Sequence, residues 1–231
     1  MSLPRIGAVY GSESGTSSRN VAVLAKAWRE SGGLEHSSSD IMTGNDAAEK
    51  GLEALAAEYD VLVVCTSSYG DGDSPENFID FIRLLYATQD TDPSARPLKG
   101  LQHAVVGFGS TEYTTFQNNP RLADKLLGEL GSRRIMQRLE VDDVSFEAGQ
   151  KALGQFKAMS VGVFADAKKT ASKKEVCPWQ APGNGKITSK KEELLGEKKG
   201  EGGQTPLIFG AILALLLAFI VYTQFIATKE A

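Results

Sequence analysis

The chain has 231 residues, of which 42% are hydrophobic and 23% charged. This balance is typical of globular proteins and excludes an intrinsically disordered protein. The formal net charge is -4, and residues 1–165 carry 15 basic and 22 acidic side chains. This body therefore lacks the basic face that a nucleic-acid-binding protein needs. Two cysteines, Cys65 and Cys177, are too few for a disulfide framework and indicate a cytosolic setting. The two histidines have no companion at ligand spacing, so we expect no metal site.

Strand-like and helix-like segments alternate through the body. Strands are predicted at 5–10, 60–66, 103–109 and 133–141, with a weaker one at 34–40. Helices are predicted at 17–30, 46–58, 76–88, 119–130 and 146–165. The two middle strands are continuous apolar runs, which is typical of parallel strands covered on both faces. The alternation predicts a doubly wound α/β fold with a parallel sheet and right-handed crossovers.

Polar or glycine-rich loops leave the ends of three predicted strands, at 11–18, 67–75 and 110–118. The carboxyl ends of parallel strands meet at one edge of a sheet, and ligands bind there at the topological switch point. We therefore expect the three loops to form one ligand site.

The first loop, "GSESGTSS", joins a strand to a helix and is rich in hydroxyl groups. A helix start can hold a phosphate through free backbone N–H groups, hydroxyls and the helix dipole. The loop lacks the lysine of a nucleoside-triphosphate loop and the spacing G-x-G-x-x-G, so a single phosphate monoester fits it better. The alternative is a serine-rich turn that only caps the helix.

The second and third loops, "SSYGDGDSPENF" and "GFGSTEYTTFQNN", contain Tyr69 and Tyr113. Tyrosines on loops from adjacent strands can sandwich an aromatic ring, and each stack contributes about 1 kcal/mol beyond area burial. Glu112 stands where the third loop would need a third glycine, which excludes a Rossmann dinucleotide site.

Four segments, "SESGTSSRNVA", "TSSYGDGDSPENF", "GFGSTEYTTFQN" and "LGSRRIMQRLEVDD", stand in order within residues 4–165. Together they resemble the FMN-binding, flavodoxin-like domain of the diflavin reductases, the group that includes the cytochrome and sulfite reductases. The resemblance implies a five-stranded parallel sheet of order 2-1-3-4-5 and FMN as the cofactor. Ser14 stands where that family often has Thr, Ser110 stands where Asn is usual, and the acidic run after Asp143 is thinned.

The resemblance also implies a role for each site residue. The phosphate loop would comprise Ser12, Glu13, Ser14, Gly15, Thr16 and Ser17. Tyr69 and Tyr113 would stack on the two faces of the isoalloxazine, and Gly70 would sit at the ring nitrogen that takes up a proton on one-electron reduction. The other cofactor-binding residues would be Ser67, Ser68, Asp71, Gly72, Asp73, Gly109, Ser110, Phe116, Gln117, Asn118 and, near the ring, Asp142.

The region after the body, residues 166–204, is rich in Lys, Glu, Gly and Ser. This composition predicts a flexible, mildly basic linker, because little of it can be buried. Within the linker, Trp179 either packs back onto the domain or is held loosely, and Cys177 has no assigned role.

The C-terminal region contains an apolar run from Leu207 to Ala227, and no charged residue occurs between Gly202 and Thr228. The run is about 31 Å long as a helix, which matches a hydrocarbon core of about 30 Å. We expect a single-pass membrane anchor within 205–228 and a short tail at 229–231. The topology expected is tail-anchored with the N-terminal domain in the cytosol, and the endoplasmic reticulum is favoured over the mitochondrial outer membrane.

These features predict a membrane-tethered FMN protein that passes electrons one at a time between a reductase and a membrane-associated acceptor. We expect no FAD- or NADPH-binding half in this chain. One alternative is an FMN-dependent quinone reductase at the membrane, which would need an open face of the ring. Another alternative is a membrane adaptor that keeps the fold but has lost the flavin.

Overall fold

A parallel β-sheet lies at the centre of the computed structural model, which describes residues 2–170, 177–181 and 187–196. The strands are β1 (Ile6–Tyr10), β2 (Ile41–Thr43), β3 (Val61–Ser67), β4 (Gln102–Gly109), β5 (Arg133–Arg134) and β6 (Leu139–Asp142). Their order is β2-β1-β3-β4-β5, and β6 also pairs with β4. All of these pairings are parallel. The order 2-1-3-4-5 is confirmed, with two short strands sharing the fifth position.

Helices cover both faces of the sheet. They are α1 (Thr16–Glu30), α2 (Gly44–Lys50), α3 (Leu52–Glu58), α4 (Ile79–Thr91), α5 (Asn118–Glu129), α6 (Phe146–Ala165), α7 (Ala167–Thr170) and α8 (Lys191–Leu195). The apolar residues of α1 recur at helical spacing, and Val21, Leu24 and Trp28 are fully buried against one face of the sheet. The core on the opposite face includes side chains of α2, α3, α4 and α5.

The elements predicted near the sheet edge differ from the observed ones. The weak strand predicted at 34–40 is wrong, because residues 38–40 form a 3-10 turn and β2 follows that turn. Ser37 N–H donates to the Asp40 carboxylate at 2.6 Å, which ties the backbone into the turn rather than a ladder. The single helix predicted at 46–58 is interrupted at Gly51, whose φ of 84° lies in the left-handed region.

The single strand predicted at 133–141 is divided next to a buried ionic cluster. Asp124 of α5 is fully buried and accepts a hydrogen bond from Arg134 Nε at 2.7 Å and another from Arg138. His103 Nε2 lies 3.1 Å from the same carboxylate. Because Arg134 and Arg138 both turn towards Asp124, the chain between them leaves the sheet. Consequently, β5 pairs with the start of β4 and β6 pairs with its end.

The described parts of the predicted linker pack against the domain. Ile187, Leu194 and Leu195 pack against the core on the α4 side, and Trp179 Nε1 is buried. The described residues up to Leu195 belong to one compact unit. Residues 187–195 of the predicted linker thus lie against the domain, and burial of their apolar side chains stabilises this docked segment.

The predicted membrane span from Leu207 to Ala227 lies outside the described residues. Among the residues that the structure does describe, no helix is long and apolar enough to cross a membrane. The membrane anchor stays a prediction.

We predict that Asp124→Asn lowers the free energy of unfolding by about 3 kcal/mol, because it removes the buried negative charge that faces Arg134 and Arg138. Burial alone would raise the pKa of Asp124, but the hydrogen bond and charge of His103 and the charge of Arg134 outweigh it and hold that pKa below its ordinary value. The stabilisation is therefore present above the unfolded pKa of about 3.9 and is lost as the pH falls through the lower folded value. Urea unfolding at pH values from about 7 to 2 measures both effects.

The matched control is Asp80→Asn, which removes an exposed carboxylate that pairs with Arg83 at 2.9 Å. We expect a change below about 1 kcal/mol for this control, because exposed ion pairs contribute little. A loss for Asp124→Asn no larger than that for Asp80→Asn would contradict the role given to the cluster.

Candidate functional site

The first part of the site is the start of α1 and the preceding loop 1 (11–15). Gly15 is the N-cap, with φ 80° and ψ 4°, and provides no side-chain cap for the helix. No acidic residue lies in the first turn of α1, so the positive end of the helix dipole is not neutralised there. Ser12 Oγ accepts a hydrogen bond from Ser17 N–H at 3.2 Å and curls the loop over the helix start.

A buried hydroxyl and a guanidinium complete this anion site. Ser17 is fully buried, and its Oγ has no hydrogen-bond partner among the described residues. Leaving such a group unsatisfied costs free energy that a ligand oxygen would recover. Arg19 donates to Ser14 O and to Thr16 Oγ1, both at 3.2 Å, so its positive charge lies against loop 1. These groups fit a phosphate monoester.

The second part is loop 2 (68–78), which follows β3 and begins with a tight turn at 69–73. Tyr69 N–H donates to Asp73 O at 3.1 Å, and Asp73 N–H donates to Tyr69 O at 2.7 Å. Gly70 and Gly72 have φ values of 48° and 90°, which residues with a Cβ rarely adopt. A Cβ at Gly72 would also lie only 2.9 Å from Asn118 Nδ2. The sequence "YGDGD" therefore encodes this turn.

Loops 1 and 2 are fastened to each other. Glu13 Oε1 accepts a hydrogen bond from Glu76 N–H at 2.6 Å. Ser12 N–H donates to Asn77 Oδ1 at 3.0 Å. The carboxylate of Glu13 thus positions the phosphate loop through a backbone contact.

The third part is loop 3 (110–117), which places Tyr113 opposite loop 2. The side chains of Tyr69 and Tyr113 are 59% and 63% exposed although both are large and aromatic. Both rings line one cavity of about 160 Å³, whose other lining residues are Ser68, Gly70, Gly109, Ser110, Thr115 and Phe116. Thr115 Oγ1 donates to Gly70 O at 3.2 Å and links the two loops. A cavity bordered by two exposed rings suits a flat aromatic ligand.

A second cavity, of about 440 Å³, lies beside the start of α1. Its lining includes Thr16 and Asn20 of α1, Phe108 of β4, Asp142 of β6 and Phe146 of α6. Phe108 is followed directly by Gly109 of the tyrosine cavity, so the two cavities meet the same strand end.

Asp142 ties loop 3 to the sheet. Its carboxylate accepts hydrogen bonds from Thr111 N–H at 3.0 Å and Thr111 Oγ1 at 2.8 Å. Burial opposes ionisation, but these donors together with Val144 N–H outweigh it and hold the pKa of Asp142 below its ordinary value. Asp142 thus lines the second cavity and also has a structural role in holding loop 3.

Several predicted site residues do not line the tyrosine cavity, among them Gln117, Asn118 and Ser67. Gln117 is fully buried, and its Nε2 donates to Val141 O at 3.1 Å. Asn118 is 4% exposed and its Nδ2 donates to Gly72 O at 2.8 Å. Ser67 ends β3, and its carbonyl accepts from Asn119 Nδ2 at 3.1 Å. The amide N–H groups thus donate to backbone carbonyls at the loop ends, whereas Gln117 Oε1 is buried without a hydrogen-bond partner among the described residues.

The sequence analysis missed Thr115 of the tyrosine cavity and several residues of the second cavity, among them Arg19, Asn20, Phe108 and Phe146. A signal existed for Asn20, which lies four residues after Thr16 and so shares one face of α1 with it. Phe108 is read from sequence only as a core residue of a buried strand. Among the described residues, no cluster of His, Cys, Asp and Glu that could hold a metal ion is present.

The fold and the site together define a flavodoxin-like domain whose phosphate loop and tyrosine cavity suit FMN. The sequence model of the flavodoxin family matches residues 9–156, and the chain belongs to this family. FMN is the cofactor, and the domain is of the electron-transfer type found in diflavin reductases.

Among curated proteins, the chain is similar to parts of larger reductases. It is 35% identical over 86 residues to methionine synthase reductase of Caenorhabditis elegans, which covers 37% of this chain and 12% of that protein. It is 30% identical over 143 residues to NADPH–cytochrome P450 reductase of Drosophila melanogaster. This match covers 60% of this chain and 19% of that protein. It is 26% identical over 167 residues to the sulfite reductase flavoprotein alpha-component of Salmonella typhimurium. This match covers 70% of this chain and 24% of that protein. The chain thus spans less than a quarter of each of these relatives.

Among solved structures, the fold is similar to small flavodoxins. Oxidised flavodoxin 1 from Bacillus cereus aligns with a TM-score of 0.52 and 23% identity, over 68% of this chain and 97% of that one. A short-chain flavodoxin associated with a PDU bacterial microcompartment aligns with a TM-score of 0.54 and 19% identity, over 74% of this chain and 100% of that one. These likenesses show the shared fold.

We predict that Thr16→Glu weakens FMN binding by about 100-fold, because it places a carboxylate at the helix start that receives the phosphate. Two like charges about 5 Å apart repel by roughly 3 kcal/mol at an effective dielectric near 20. Flavin fluorescence titration of the apoprotein with FMN measures the loss.

Two controls separate charge from shape. Thr16→Gln has a side chain of the same size without the charge, and we expect a much smaller loss of FMN affinity. Riboflavin lacks the phosphate, so its affinity should differ little between the Glu and Gln variants. Equal losses of FMN affinity for Glu and Gln would rule out an electrostatic phosphate site at Thr16.

Proposed function

We propose that this protein is an FMN electron carrier that takes electrons from a separate reductase and passes them singly to a membrane-associated acceptor. The observation that carries the proposal is the exposure of Tyr69 and Tyr113 at the mouth of one cavity. A ring held between them would present its edge to solvent, where a redox partner could approach, while both of its faces are covered. Covered faces favour edge-on electron transfer over hydride chemistry at an open face.

The relatives support a reductase as the donor. The three curated relatives described above are all named as reductases or reductase components. Because this chain matches only a small part of each, we propose that a donor on another chain or module delivers the electrons. When bound, FMN supplies the redox chemistry, and the protein holds the phosphate, covers the ring and controls access to it.

Charge near the cavity supports a basic partner. Asp71, Glu112 and Asp143 are exposed on or next to the loops that form the site. An acidic surface attracts a basic face of a partner, and this attraction mainly raises the association rate. The surface opposes binding to nucleic acid.

We predict two separable one-electron steps when the FMN-loaded full chain is titrated with dithionite. NADPH alone should leave the flavin oxidised, whereas NADPH with a flavoprotein reductase should support reduction of cytochrome c, a basic one-electron acceptor. The rate should fall about tenfold between roughly 0.01 M and 0.5 M salt, because screening removes the attraction. Stopped-flow absorbance measures each of these.

The alternative functions give different outcomes in the same experiment. Sustained NADPH oxidation by the isolated chain with a quinone would favour a quinone reductase. A chain that binds no FMN would favour a flavin-free adaptor and would end the carrier proposal.

We further propose that the apolar run from Leu207 to Ala227 anchors the protein in a membrane, with the FMN domain in the cytosol and the endoplasmic reticulum favoured. The support is the sequence, which has no charged residue between Gly202 and Thr228. Anchoring would raise the effective concentration of the domain near membrane-bound acceptors.

We predict that the full chain floats with liposomes in a density gradient and that Leu216→Arg greatly reduces flotation. A charge at the centre of a spanning helix costs about 2.5–3.5 kcal/mol on insertion scales. Leu216→Ile keeps the hydrophobicity and is the control. Equal flotation of the Arg and Ile variants would contradict the anchor.

A further inference from the structure

We propose that residues 187–195, which we call the C-terminal strap, hold the turn at 69–73 in place and thereby set the affinity for FMN. The proposal goes beyond the carrier function and rests on FMN as the cofactor. The strap lies outside residues 9–156, the range that matches the flavodoxin family, so it is an addition to the family domain. The chain places it against the outer side of the same turn that carries Tyr69.

Asn118 connects the strap to the turn. Its Nδ2 donates to Gly72 O at 2.8 Å and to Thr188 O at 3.1 Å, and its Oδ1 accepts from Thr188 N–H at 2.7 Å. Asn118 is 4% exposed, so these hydrogen bonds are shielded from competition by water. One amide side chain therefore satisfies both the flavin-side turn and the strap.

Lys190 makes a second connection through an ion pair with Asp73. The side-chain hydrogen bond to Asp73 is the main cause that raises the pKa of Lys190, and burial opposes it. Lys190 is therefore charged at neutral pH, and its charge offsets that of Asp73 beside the cavity. Its φ of 45° lies in the left-handed region that non-glycine residues rarely adopt, so contacts must hold this conformation.

The other end of the strap is attached to α4. Tyr86 OH donates to Ser189 O at 2.9 Å, and Arg83 Nε donates to Leu194 O at 3.1 Å. Lys191 pairs with Asp90. Together with the apolar contacts of Ile187, Leu194 and Leu195, these bonds fix the strap to α4. The strap can therefore hold the turn at 69–73 in a constant position relative to α4.

Because the turn borders both the tyrosine cavity and the strap, docking of the strap and binding of FMN are coupled. Coupling between two binding events is reciprocal, so a docked strap favours FMN and bound FMN favours a docked strap. The two effects are measured independently, one as flavin affinity and the other as protection of the strap.

The first test measures FMN affinity for full-chain Lys190→Gln, Asp73→Asn and the double variant. We expect Lys190→Gln to raise the FMN dissociation constant by about tenfold in the wild-type background. In the Asp73→Asn background the same change should have an effect below about twofold, because the ion pair is already absent. Lys26→Gln is the matched control, since it removes the same charge from an exposed ion pair with Glu30 on α1, on the opposite face of the sheet from the strap, and its effect should also stay below about twofold.

The second test measures hydrogen exchange of the strap in the full chain with and without FMN. We expect FMN to slow exchange of the Thr188 and Leu194 amides by about fivefold or more, and Lys190→Gln to remove much of that protection. Thr188→Pro removes the N–H that donates a hydrogen bond to Asn118 Oδ1. It serves as the second variant if Lys190→Gln folds poorly.

Failure of the strap and failure of the cofactor assignment look different. If the wild-type chain binds FMN but all strap variants bind it within about twofold and FMN leaves exchange unchanged, the strap proposal is overturned and the carrier function stands. If the wild-type chain binds no FMN, both proposals are overturned.

Discussion

The hydrogen bond between the Asn118 amide and the Gly72 carbonyl fixes the position of the flavin site. It joins the start of α5 to the turn that carries Tyr69, at a distance that a Cβ on Gly72 would not permit. The same amide meets Thr188 of the strap. Position 72 must therefore be glycine for two reasons, its φ of 90° and the close approach of Asn118. The turn that carries Tyr69 is therefore held by the hydrogen bond between Asn118 and Gly72, on the side of the turn away from the tyrosine cavity. Asn118 thus supports the site without lining that cavity.

The centre of the fold and the two tyrosines could be predicted from sequence because their signals are local. The continuous apolar runs of β3 and β4 allow few other interpretations, and α1 carries its core residues at helical spacing. The elements at the sheet edges were less predictable. Strand β2 has only three residues. The division of the fifth strand position depends on the hydrogen bonds that Arg134 and Arg138 donate to Asp124. That last effect is tertiary, and no window of sequence around 133–141 contains it.

The strap was missed for a related reason. Its composition is that of a linker, rich in Lys and Glu, and composition indicates how much a segment can bury but not which few residues do so. Ile187, Leu194 and Leu195 bury that segment only because α4 offers a complementary surface and Tyr86 a hydroxyl. The roles of Gln117 and Asn118 were likewise beyond the resemblance, because an amide beside a cavity serves equally well as a ligand contact or as a tie between backbone groups.

The carboxylates around the site divide into two groups with different consequences. Glu13, Asp73 and Asp142 are each held by donors of the protein, respectively Glu76 N–H, Lys190 and Thr111. Their charge is partly offset, and they position the loops. Asp71 and Glu112 are exposed at the cavity mouth and keep their charge directed at solvent, where it acts on an approaching partner over about a Debye length. Positioning of the cofactor and attraction of a partner are therefore assigned to separate residues, so that salt screens the partner's approach more strongly than it weakens the bonds that hold the loops.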